Sequence, residues 1–146
     1  RNVHRTNLLL DHRYGTDFRY DEMMMTGPGE AGRALAEQLA RTDMMAAGDD
    51  APKPGEGPSK EERENGSYAL RFVGEADDGA RMAVRVTGDR DPGYGSTSRM
   101  IAECALCLVD EAADLPGGVW TPAAAFGHAL VERLRAHAGM TFEVLD

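Results

Sequence analysis

Residues 67–112 read SYALRFVGEADDGARMAVRVTGDRDPGYGSTSRMIAECALCLVDEA, and this stretch decides the fold. Tyr68, Leu70 and Phe72 alternate with Ala69, Arg71 and Val73, the period of a strand with two unlike faces. Asp77-Asp78-Gly79 supplies turn chemistry, and Met82, Val84 and Val86 alternate in return, so a hairpin is expected. Gly88 to Gly95 is a sharp loop, and Ser96 or Thr97 is placed to cap a helix running to about Ala112. Met100, Ile101, Cys104, Ala105, Cys107, Leu108 and Val109 leave that helix little polar face. It is expected to be buried on two sides, the second against another subunit.

Downstream, Pro116-Gly117-Gly118 is a break, and Thr121-Pro122 places a cap residue before a proline at the first helical position. Phe126, Leu130 and Leu134 mark one face of a helix to about His137, Gly139 stops it, and 141–145 form a last short strand. Upstream, residues 47–66 are rich in proline and glycine with almost nothing to bury, a surface loop. Within it Ser59-Lys60-Glu61-Glu62 has capping-box spacing, which predicts a helical turn or two at about 59–64. Phe18, Tyr20, Glu22 and Met24 share one face of a predicted strand over Asp17–Met25, ended by Gly27-Pro28-Gly29. Ala31, Leu35 and Leu39 then recur at helical spacing through about Met45, where Gly48-Asp49-Asp50 ends the helix. The expected class is α+β: one domain with a mainly antiparallel sheet and helices packed on one face.

The 146 residues suit one domain. Sixteen Lys and Arg against 25 Asp and Glu give a net charge of −9, the wrong balance for a partner that is nucleic acid or an anionic membrane surface. Two cysteines build no disulfide framework, and no apolar stretch approaches the ~20 residues that span a bilayer. Without a signal-peptide pattern, a soluble cytoplasmic location is expected. The opening Arg1, in place of methionine, points to a piece of something longer.

Cys104 and Cys107 lie mid-helix among apolar residues, whereas a redox CxxC starts a helix, so both read as structural thiols. His4, His12, His128 and His137 show no paired spacing with them, and no metal is expected. Gly93-Tyr94-Gly95-Ser96-Thr97-Ser98 fails the dinucleotide pattern at its third glycine. Two readings of that loop stay open. The N–H groups at the helix start, flanked by Arg90 and Arg99, form an anion site for a substrate carboxylate or cofactor phosphate, or the loop is a tight, well-capped turn.

The loop strings carry further information. RNVHRTNLLL, YGTDFRYDEMM, PKPGEGPSKEERENGSYALRFVG, VRVTGDRDPGYGSTSRMIAECALCL and GGVWTPAAAFGHALVERLRAHAGMTFEV run in order along the chain. Together they resemble the C-terminal part of saccharopine dehydrogenase-like oxidoreductases, most closely the bacterial branch of saccharopine dehydrogenase-like or trans-acting enoyl reductase-like proteins. That resemblance implies a second α+β domain that closes over a small-molecule substrate and pairs subunits as a homodimer. It also implies an N-terminal Rossmann domain, outside this chain, that holds NAD(P), with no cofactor in this domain itself. By the same resemblance Arg90, Asp91, Gly93, Tyr94, Gly95 and Thr97, with Thr121 of the Thr121-Pro122 turn, lie toward the interdomain cleft, and Arg5 and Tyr20 are lesser candidates. No residue is assigned a catalytic role. The leading expectation is the substrate-binding and dimerising portion of an NAD(P)-dependent oxidoreductase, inactive alone. The alternative is a non-enzymatic homodimeric scaffold or small-anion-binding module.

Overall fold

In the computed structural model, which describes residues 1–42 and 56–145, the alternating stretch folds as a hairpin. Strands β1 (Tyr68–Glu75) and β2 (Arg81–Gly88) pair antiparallel, with Leu70 opposite Val86 and Phe72 opposite Val84. The Asp78 carboxylate accepts from the Ala80 N–H at 2.9 Å and fixes the turn. Strand β3 (Met140–Leu145) joins the free edge of β2 with Phe142 opposite Val86, giving an antiparallel sheet in the order β1-β2-β3.

Strand alternation sends Tyr68, Val84, Val86, Met140 and Phe142 to one face, which helices α4 (Gly95–Asp110) and α5 (Pro122–His137) cover. Leu130, Leu134 and Ala138, four residues apart, bury against Val86, Met140 and Cys107. Each leucine removed from water there contributes about 1.5–3 kcal/mol. The other face carries the neighbours Arg71, Arg85 and Glu143, so it is the polar one. The expected α+β class, with helices on one face of an antiparallel sheet, is the class observed.

Two helices join this layer. Helix α1 (Asn2–Leu9), which no pattern in the sequence marks, packs on α5. Helix α3 (Lys60–Asn65) has the predicted capping box: Ser59 Oγ accepts from the Glu62 N–H at 3.2 Å, and Glu62 Oε2 accepts from the Ser59 N–H at 2.8 Å. Helix α5 is interrupted at Gly127, whose φ of 52° and ψ of −126° are open only to a residue without a β-carbon. The helix therefore starts as a short turn, 122–126, before the run that builds the core.

Arg1–Thr16 with Gly57–Asp146 form one compact unit, and Asp17–Glu56 form a second. The second unit holds α2 (Gly29–Arg41), which starts on the last glycine of the predicted break and ends four residues before the expected Met45. Thr42 closes it, its hydroxyl donating to the Gln38 carbonyl at 2.9 Å. The expected stop at Gly48-Asp49-Asp50 lies outside the described residues. The strand predicted over Asp17–Met25 is not formed. A strand needs a ladder partner; none among the described residues pairs with this one, and Met23, Met24 and Met25 stay 61–89% exposed. Among the described residues no helix is long and apolar enough to cross a membrane.

Candidate functional site

The loop before α4 is organised by one carboxylate. Asp91 accepts from the N–H groups of Gly93 at 2.9 Å, Tyr94 at 3.1 Å and Gly95, while its own carbonyl accepts from the Ser96 N–H at 2.8 Å. These bonds, that to Gly95 foremost, hold the Asp91 carboxyl below the usual carboxylate range. Gly95 is required by close approach: a β-carbon there would sit 2.6 Å from the Arg63 carbonyl oxygen. Thr97 donates its hydroxyl to the Pro92 carbonyl at 2.7 Å.

The two basic flanks are also engaged. Arg90 lies 3.8 Å from Glu64, and Arg99 lies 3.6 Å from Asp89. The Gly93, Tyr94, Gly95 and Ser96 amides at the helix start thus meet acceptors of this chain's own, and the geometry is that of the tight capped turn. Neither Ser96 nor Thr97 is the cap: Tyr94 holds the N-cap position without a side-chain bond, and Asp91 does the capping. Ser96 is instead buried and pairs with the Tyr68 hydroxyl at 2.9 Å, tying β1 to the start of α4.

A second place brings residues together from both ends of the chain. Asn2, Val3, Arg5 and Thr6 of α1 face Val119, Trp120, Thr121, Pro122 and Ala123 across an open groove of about 440 Å³. Two contacts close it. Arg5 donates to the Val119 carbonyl at 2.7 Å, and the Thr6 and Thr121 hydroxyls lie 2.7 Å apart, both residues buried. The Thr6 hydroxyl donates its one proton to the Asn2 carbonyl at 3.0 Å, so Thr121 is the donor between them.

That use of Thr121 has a consequence for α5. Its side chain is turned away from the helix it precedes, which has no side-chain cap. Pro122 has no N–H, and the Ala123 and Ala124 amides lie in the first turn, where intrahelical acceptors are missing. The groove is therefore lined both by the uncapped first turn of α5 and by Arg5, whose remaining guanidinium donors make no hydrogen bond among the described residues. Trp120, the only tryptophan of the chain, lines it with its indole N–H donating to Pro116 at 2.9 Å.

Of the sequence candidates, Arg5 and Thr121 meet in this groove, while Arg90, Asp91, Gly93, Tyr94, Gly95 and Thr97 build the α4 turn. Tyr20 belongs to the second unit, where a hydrogen bond to the Glu22 carboxylate raises its phenol above the ordinary value. Thr6 and Trp120 were not anticipated. The Thr6–Thr121 bond spans 115 residues of sequence and leaves no local pattern, whereas a lone tryptophan beside the Thr121-Pro122 turn was a usable signal. Cys107 is fully buried and Cys104 partly so, and burial pushes both thiols up.

No family model matches the chain, and no solved structure matches it. It is 40% identical, over 161 aligned positions, to a Mycobacterium tuberculosis protein that bears the name trans-acting enoyl reductase provisionally. The match covers 97% of this chain and 38% of that protein. The chain resembles part of a trans-acting enoyl reductase. It is 36% identical to the Mycobacterium ulcerans protein of that name, and 35% identical to that of Mycobacterium bovis BCG. Each of these two matches covers 90% of this chain and 35% of the relative. The chain thus spans little more than a third of the trans-acting enoyl reductases it matches. These relatives support the enoyl reductase side of the expected resemblance, and their names make no mention of saccharopine.

Proposed function

We propose that this chain supplies the substrate groove of an enoyl reductase-like oxidoreductase, with the reduced nicotinamide, NADH or NADPH, held by residues outside it. The observation that carries the reading is the meeting of Arg5, Thr6, Thr121 and Trp120 in one groove of a chain similar to proteins named for enoyl reduction. Two facts support placing the nucleotide elsewhere. All the strands among the described residues pair antiparallel, so these residues hold no parallel βαβ unit of the kind that cradles a dinucleotide. The relatives are also more than twice as long as the matched region.

The chemistry of the groove suits a conjugated carbonyl. When hydride adds to the β-carbon of an enoyl group, the π electrons shift toward the carbonyl oxygen, and the α-carbon then takes a proton. Groups that hold that oxygen more tightly as it gains charge lower the barrier. Arg5 and the uncapped amides at the start of α5 are such groups, and Val3, Val119, Pro122 and Ala123 offer apolar surface to an acyl chain. In this reading Arg5 and Thr121 contact substrate, and the 90–97 turn acts on the site only by fixing α4.

Trp120 makes the reading measurable. A short-chain 2-enoyl thioester is expected to change its emission saturably, and Arg5→Met to weaken binding about tenfold or more, the worth of a hydrogen bond to a charged group. A flat titration, or equal binding by the two proteins, would contradict the assignment.

A further inference from the structure

We propose that the outer face of α4 is a self-association surface, on which the α4 of a second copy of this chain packs antiparallel about a twofold axis near Ala105. The inner face of α4 already has its cover. Ser96, Glu103 and Cys107 are buried, and Glu103 binds Arg133 of α5 at 3.1 Å. Within the compact unit that holds α4, Arg1–Thr16 with Gly57–Asp146, the outer face has none among the described residues. Ile101 is 69%, Leu106 47%, Leu108 55% and Val109 79% exposed, and Ala102 and Ala105 are exposed with them. Ile101, Ala105 and Leu108 recur at the i, i+4, i+7 spacing of one helix stripe, the arrangement of a face meant to be covered. From Met100 to Val109 the only charge is the buried Glu103, on a chain in which 28% of residues are charged.

The occupant follows from the ends of the stripe. Arg99 and Asp110 flank it on the same edge, at opposite ends. An antiparallel copy with Ile101 level with the second copy's Leu108 brings Arg99 level with Asp110 of the second copy, and by symmetry this happens twice. A parallel copy would set Arg99 level with Arg99, and gains no such pair. Ala102 and Ala105 near the crossing point are small enough to let the two backbones approach, while Ile101, Leu108 and Val109 interleave on either side. Both charged groups have exposure left for a further partner: the Arg99 side chain is 34% exposed beside Asp89, and the Asp110 side chain 53% exposed beside Arg133. Such a surface would stand whether or not the groove takes an enoyl substrate.

Sedimentation equilibrium of the purified chain tests it. A dimer is expected, which Ile101→Glu weakens at least about 100-fold with the far-ultraviolet circular dichroism unchanged, since position 101 is exposed in the single chain. Arg99→Asp and Asp110→Arg are each expected to weaken association, and the two together to restore most of it. That recovery keeps the proposal testable even if one variant folds poorly. A monomer at every concentration, a dimer indifferent to Ile101→Glu, or a double swap that is worse than either single change would overturn the proposal. In each case another part of a longer protein, or a different surface, owns this face.

Discussion

The threonine pair that closes the groove predicts an asymmetry. Thr6 donates to the Asn2 carbonyl and accepts from Thr121, so the two hydroxyls are not equivalent. Thr121→Val removes one donor and leaves the Thr6 hydroxyl still bonded, a loss of about 0.5–1.5 kcal/mol. Thr6→Val keeps the volume but leaves the Thr121 hydroxyl, in a residue 7% exposed, without its acceptor. That costs about 1–3 kcal/mol, roughly a 5- to 150-fold drop in the folded-to-unfolded ratio. The double variant has no orphan and should lie near the Thr121→Val value, well short of the sum of the single changes. Urea unfolding followed by circular dichroism measures all four proteins, with the slope expected to be constant and the midpoints to move. If Thr6→Val costs no more than Thr121→Val, or if the single effects add, Thr121 is not the donor of the pair.

Other consequences are independent of that pair. Gly127→Ala forces a β-carbon into a region with φ near 52° and should lower stability by about 1–3 kcal/mol, although no atom crowds the position. A thermal melt reads this directly. Because burial raises the Cys104 and Cys107 thiols, the reactive thiolate is scarce at neutral pH. Alkylation of the folded chain should be much slower than after denaturation, and fast native labelling would refute it. The Asp91 and Glu62 carboxyls are held below their ordinary values by the bonds from Gly95 and from Ser59. Each therefore contributes stability that is fully present above the unfolded pKa, about 4, and is lost as pH falls through the lower folded value. Asp91→Asn should flatten that acid limb; an unchanged limb would count against the capping role.

What the sequence disclosed was local. The alternation of Tyr68, Leu70 and Phe72 with Met82, Val84 and Val86 marked the hairpin, and Ser59 with Glu62 marked the cap of α3, because each pattern is complete within a few residues. Asp17–Met25 misled for the same reason: alternation describes a surface, and a strand also requires a partner that local pattern does not reveal. Helix α1 went unassigned because its polar sequence carries no stripe. It is held by the Arg5–Val119 and Thr6–Thr121 bonds, each more than 110 residues long in sequence. At the α4 loop, Ser96 and Thr97 had the cap chemistry, but Asp91 reaches the amides first and leaves Ser96 free to hold Tyr68. The groove itself was half legible, through Arg5 and Thr121 but not through Thr6 or Trp120.

The division of labour proposed for this chain is tested most directly by supplying it, alone, with NADPH and a saturating 2-enoyl thioester and following the absorbance of the reduced nicotinamide. The account predicts no consumption of NADPH above the background, even where Trp120 reports that the thioester is bound. Steady, protein-dependent oxidation of NADPH by the 146-residue chain would contradict it, since the hydride donor would then sit within these residues.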